Sequence, residues 1–137
     1  MKSIHKYDTN IMDIAHDVAM KSDMRSKHGC VITDYRKTII AVECNKTINI
    51  SKKTLHRMEF NKRNKISRHA EENALRNVDL SKLYGASLYV VRAGYENNER
   101  IFMNSKPCER CTAIINSCMR KFGLKVVYYS TDISSDV

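Results

Sequence analysis

SKPCERC, residues 105–111, sets two thiols three positions apart directly after the only proline of the chain. Proline is tolerated in the first turn of a helix, where its missing N–H would have no partner anyway. Cys108 and Cys111 are therefore predicted near a helix N-terminus, about 60° apart on one face and able to grip one ion. The free amides of such a turn favour thiolates. Alone, the pair fits a redox couple or half of a zinc finger equally well. No second C-x-x-C exists in the sequence, so a finger with four cysteine ligands is disfavoured and a third ligand must come from elsewhere. SRHAEENAL, residues 67–75, offers His69 near the start of another predicted helix. One histidine and two cysteines are too few for a closed structural zinc site and leave a position for water, which is the catalytic arrangement. That water needs a base, and Glu71 is the carboxylate at hand. Residues 69 and 71 lie about 200° apart round a helix, so they meet one ion only if it sits off the helix end.

Outward from these stretches the pattern alternates between the two regular periods. Apolar residues at Ile4, Tyr7, Ile11, Ile14, Ala15, Val18 and Ala19 recur as one helical face and predict a helix over about 3–21. CVIT and TIIAVEC, joined by DYRK, read as a hairpin of two short strands. After an irregular stretch over 45–65, Ser67 is a suitable N-cap for a helix over 68–78. A turn at Gly85 leads to the buried strand SLYVV, the polar AGYENNER reads as a loop, and the Pro107 helix runs to about Phe122, where Gly123 ends it. LKVVYY is a further buried strand. The order α-β-β-α-β-α-β implies an α/β fold of three layers, α/β/α. Its central sheet is mixed, with helices on both faces, and its last two strands run parallel through a helical crossover.

With 137 residues, 42% of them hydrophobic, the chain suits one domain over 1–137. It has neither an apolar run of membrane-spanning length nor a leader-like N-terminus, so an intracellular, cytoplasmic protein without membrane contact is expected. Five cysteines, an odd number, argue for thiols or ligands over disulfides. A net charge of +9 and a pI near 9.4 suit an anionic partner, from a nucleotide phosphate to RNA. Lys52, Lys53, Arg57, Lys62, Arg63, Lys65 and Arg68 crowd the approach to His69, either as a solvated loop or as a phosphate contact.

HAE followed by PCERC matches the H-x-E…P-C-x-x-C pattern of zinc deaminases, and on it the chain resembles the cytidine/deoxycytidylate deaminase superfamily. KHGCVIT, ECN, ASLYVV and LKVVYYS extend the likeness over about 12–130. The resemblance implies a cytidine-deaminase-like fold, Zn²⁺ held by His69, Cys108 and Cys111, and Glu71 as proton shuttle. It further implies base contacts from the Ala70 backbone and the Cys108 amide, and a sugar or base contact from Asn45. Cys30 either lines the base pocket in place of alanine or simply packs. The implied activity is hydrolytic deamination of a cytosine-type nucleoside or nucleotide with release of ammonia. Two alternatives stand beside it: deamination of adenosine or cytidine in RNA such as tRNA, and a zinc-stabilised binding module without turnover. The +9 charge favours the first. Glu71 speaks against the second. Family members associate, so a homo-oligomer, dimer or tetramer, is expected. ECNKTINIS, where Gly-Tyr-Asn-Gly is usual, speaks against a monophosphate substrate, and the short tail speaks against a fifth strand. Glu72 is read as solvated or paired with Arg76 at i+4, Cys118 as core, and His28 and Asp34 as turn residues. Tyr128 and Tyr129 should point to opposite faces of their strand.

Overall fold

The computed structural model describes residues 1–3, 9–48 and 67–132. The β-branched segment Lys27–Thr33 (β2) pairs antiparallel with Ile39–Cys44 (β3). The expected hairpin turn forms, with the Asp34 carboxylate accepting from the backbone N–H groups of Arg36 and Thr38 at 2.9 Å. On its other side β2 pairs antiparallel with the long strand Ser87–Glu96 (β6), from Lys27↔Ala93 to Thr33↔Ser87. Val126–Tyr129 (β8) lies parallel to the first half of β6, and the helix Glu109–Phe122 (α3) makes the crossover between them. Gly123 ends α3 in the left-handed region at φ 78°, a conformation that costs glycine nothing.

Alternation along the strands decides the layers. Cys30, Ile32, Leu88 and Val90 point to one face, where they bury Ala70, Ala74 and Leu75 of the helix Ala70–Asn77 (α2) together with Ile115 and Cys118 of α3. Val31, Tyr89 and Val91 point to the other, against Met12 and Ala15 of the helix Thr9–Ala19 (α1). Each fully buried Ile, Leu or Val contributes roughly 1.5–3 kcal/mol, and a register slip of one residue would forfeit the whole set. The two tyrosines divide as expected: Tyr128 stacks on Tyr89 at 5.0 Å on the α1 face, and Tyr129 packs on the other.

Three expectations are corrected. Ser3 is not helical. Lys2–Ser3 (β1) pairs parallel with β8 and forms the outer edge of a sheet ordered β1-β8-β6-β2-β3, so the sheet runs past the expected four strands; residues 4–8 lie outside the described residues. AGYENNER is not a loop either. β6 continues to Glu96, turns at Asn97 and Asn98, both at positive φ (52° and 64°), and returns as Glu99–Met103 (β7). Two left-handed residues make the tight turn that matches strand twist, and asparagine enters that region more readily than most. The hairpin is tied to α1 through buried His16, which meets the Gly94 carbonyl at 2.8 Å and Arg100 at 3.2 Å, while Arg100 also donates to Asp17 at 2.7 Å. No helix among the described residues is long and apolar enough to cross a membrane.

α1 crosses β2 at Gly29 so closely that a Cβ there would sit 2.1 Å from the Ala15 carbonyl oxygen and 2.7 Å from the Ala19 nitrogen. Both are backbone atoms, which cannot swing aside as a side chain would. Gly29→Ala is therefore expected to cost roughly 3 kcal/mol by overpacking, read as a fall in the urea midpoint. An unchanged midpoint would mean that the helix rides higher on the sheet than it does here.

Candidate metal centre

Both motifs sit where an extended segment breaks into a helix. Ser67–Arg68 (β5) pairs with Lys46–Thr47 (β4), and this pairing holds the chain extended through His69, whose φ is −70° and ψ 156°. His69, not Ser67, is thus the N-cap of α2. Likewise Cys108, at φ −68° and ψ 171°, caps α3 in place of the expected start at Pro107, and its sulfur accepts from the Cys111 N–H. One ligand of each motif therefore lies just outside its helix. This removes the helical-wheel conflict between residues 69 and 71, because His69 does not follow helical periodicity.

The two helix starts converge. His69 Nδ1 lies 3.2 Å from Cys111 Sγ and 3.6 Å from Cys108 Sγ, and the three donor atoms all lie within 4.8 Å of one another. Tetrahedral zinc, with bonds of about 2.3 Å to sulfur and 2.0 Å to nitrogen, separates nitrogen from sulfur by about 3.5 Å. The residues fit the ion. The expectation that the helix-start amides lower the Cys111 thiol pKa is not met. Burial raises it first, and the charge of Glu71 with the contacts of Cys108 raise it further. A buried thiol held so far above its usual range ionises when a cation takes the place of its proton.

Beside the donors opens a cavity of about 260 Å³ at one end of the sheet, lined by His69, Ala70, Glu71 and Cys108 together with Asn45 and His28. Glu71 is buried. Burial raises its pKa above the usual carboxylate range, partly offset by its backbone amide, by His69 and by Cys111. Asn45 is engaged in the wall: it accepts from the His28 N–H at 2.9 Å and donates to the Ser26 carbonyl at 2.7 Å. Cys30 does not line the cavity; it is fully buried in the core behind Glu71. Cys118 is also core.

Two neighbours of the site were not read from sequence. Lys106 stands at the cavity. His28, expected to serve only in a turn, lies in the wall with Nδ1 2.9 Å from Ser105 Oγ. Its position before Gly29 on an inward-facing strand was the available signal. Burial, then Arg92 and His69, lower its pKa to about 4. Between the unfolded value near 6.5 and this one, the unfolded chain binds a proton that the folded chain refuses. Stability from this residue is thus complete above about pH 6.5 and falls by up to about 3 kcal/mol on acidification to about pH 4. His28→Gln is expected to flatten the acid side of the stability curve relative to the parent; parallel curves would contradict this.

Glu72 was expected to be solvated or paired with Arg76. It is instead buried and bridges the two helices: Arg110 Nη2 donates to its Oε2 at 2.8 Å and its Oε1 at 3.2 Å, with Arg68 Nε 4.0 Å away. Its neighbour Asn73 donates to the Cys44 carbonyl at 2.8 Å and fixes α2 to the end of β3. On the other side, the loop before α3 is held by the Ser105 N–H on the Ser130 carbonyl at 2.9 Å. Of the basic run before His69, the residues from Lys52 to Lys65 lie outside the described residues.

No curated protein sequence matches the chain. Among solved structures, the dCMP deaminase of cyanophage S-TIM5, in complex with dCMP and dUMP, is 22% identical with a TM-score of 0.58, over 92% of this chain and 82% of that one. A cytidine deaminase of Burkholderia pseudomallei is 15% identical with a TM-score of 0.56, over 93% of this chain and 87% of that one. At these identities the likeness is one of fold, and it bears out the α/β architecture. The family described as the cytidine and deoxycytidylate deaminase zinc-binding region matches residues 5–130. That span takes in both helix starts and the strands that aim them, and the chain belongs to the cytidine and deoxycytidylate deaminase family.

Proposed function

We propose that the chain is a zinc-dependent hydrolytic deaminase of a free cytosine-type nucleoside or nucleotide, with His69, Cys108 and Cys111 as ligands and Glu71 as the catalytic acid and base. The observation that carries this reading is a buried carboxylate lining a small cavity, two residues from His69 and against Cys111. Zinc held by the three residues supplies a Lewis acid that brings the pKa of a water to near neutrality. Glu71 takes the proton of the nucleophile, passes it to the ring nitrogen, and serves again when the exocyclic amine departs as ammonia. A pKa lifted by burial suits a group that must both accept and return a proton near neutral pH. The α2 N-terminus offers Ala70 backbone to the base, while Asn45 holds the wall beside the sugar position. Cys30 supports Glu71 from the core.

The cavity of about 260 Å³ falls below the roughly 300 Å³ at which pockets for drug-sized ligands begin, which suits a single base with its sugar, whether free or turned out of a strand. The net charge of +9 supports the RNA reading as the alternative. Ammonia release measured over cytidine, CMP, dCMP, dCTP and a tRNA anticodon stem-loop separates the two. Turnover of a free cytosine compound supports the proposal. Turnover of the stem-loop alone, with affinity falling steeply with salt, replaces it with RNA deamination; silence across the panel with zinc bound favours a binding module. We read the chain as a homo-oligomer, for which light scattering after size exclusion is the test; a monomeric mass would remove it.

A further inference from the structure

The zinc donors come from the starts of two helices, which makes the spacing of those starts the quantity on which affinity depends. α2 carries His69 at its cap and α3 carries Cys108 at its cap, with Cys111 one turn in. The carboxylate of Glu72 is only about a tenth exposed, whereas the Arg110 side chain is 68% exposed. A buried carboxylate costs free energy unless its lone pairs are occupied. Arg110 meets both oxygens from the neighbouring helix. Apart from contacts among the site residues themselves, these are the side-chain hydrogen bonds between α2 and α3 among the described residues. In sequence, Arg110 lies between the two cysteines, and Glu72 follows Glu71 directly.

Charge makes the arrangement more than a fastening. Two cysteine thiols and the carboxylates of Glu71 and Glu72 gather at the junction of the helices, so acidic groups are in excess there once the thiols ionise on a divalent ion. The guanidinium offsets the nearest surplus carboxylate and draws α3 toward α2.

We propose that Glu72 and Arg110 form a positioning clamp, which holds the histidine-bearing and cysteine-bearing helices at the separation the zinc ion requires. This rests on the ligand set given above but not on any substrate, so a chain silent on every nucleotide would still test it. The pair touches no reacting atom.

The test is zinc partition between the purified holoprotein and a chromophoric chelator at equilibrium. Partners that orient metal ligands are typically worth about 10–100-fold in affinity, so Arg110→Met is expected to weaken zinc binding about 10-fold with an unchanged far-UV circular dichroism spectrum. Arg110→Lys, which keeps the charge but not the planar fork, should fall between parent and Arg110→Met. Glu72→Gln should weaken zinc similarly, and the double variant should be no worse than the worse single, because each breaks the same contact. Parental affinity in Arg110→Met would overturn the clamp. So would losses that multiply in the double variant, since the residues would then act independently. A parent chain without bound zinc would instead sink the ligand assignment, a result distinct from either.

Discussion

Glu71→Gln is expected to reduce deamination on the order of 10³-fold or more while one zinc stays bound per chain. Glutamine matches glutamate in shape and hydrogen-bonding span but accepts no proton at neutral pH, so the substitution removes proton transfer and little else. Glu71 is not among the three donors near one another, which is why metal content should hold. Burial already disfavours its ionised form, so the neutral amide should leave the thermal midpoint equal to or above that of the parent. Turnover is measured by ammonia release and zinc by elemental analysis of the same sample. A variant that works at half the parental rate would remove Glu71 from the chemistry. One that loses zinc and activity together would make it a ligand.

Cys111→Ser has the second large effect. Cys111 is buried and 3.2 Å from His69 Nδ1, whereas Cys108 is exposed. A serine hydroxyl is harder, shorter and far less readily ionised than a thiol, so it satisfies zinc poorly. Loss of a direct ligand should exceed the roughly 10–100-fold cost of losing a group that merely orients one, and at least about 100-fold weaker zinc affinity is expected, with turnover lost in step. The fold should survive better than the site, because the core on that face is built from Ile32, Leu88, Val90, Ile115 and Val127. The check is chelator competition together with circular dichroism. Unaltered zinc affinity would mean that a different donor completes the site.

Features of the fold that depend on local periodicity were legible in the sequence. Alternation in CVIT and SLYVV, the helical stripe of α1 and the crossover into LKVVYY each express a spacing that the chain carries without help. HAE and PCERC were legible because their chemistry is specific. What escaped was competition between partners. Ser67 has the composition of a cap, yet its backbone is taken by pairing with Thr47, and so the cap passes to His69. β7 escaped because its approach, Asn97 to Arg100, has the composition of a loop; Phe102 packs on the α1-side core and Arg100 meets His16, 84 residues away. Glu72 had a local candidate in Arg76, but its partner is Arg110, 38 residues away. His28 stands at the start of β2, where the end of the strand borders the cavity, and residue type alone carries no sign of that.

The central claim is that one histidine and two cysteines hold one zinc, with a place left for solvent beside Glu71. X-ray absorption at the zinc edge, on protein whose metal content has been measured, tests it most directly. One zinc per chain with two sulfur neighbours at about 2.3 Å and two nitrogen or oxygen neighbours at about 2.0 Å is the expected result. Four sulfur neighbours, or protein purified under zinc-replete conditions that carries no metal, would contradict it.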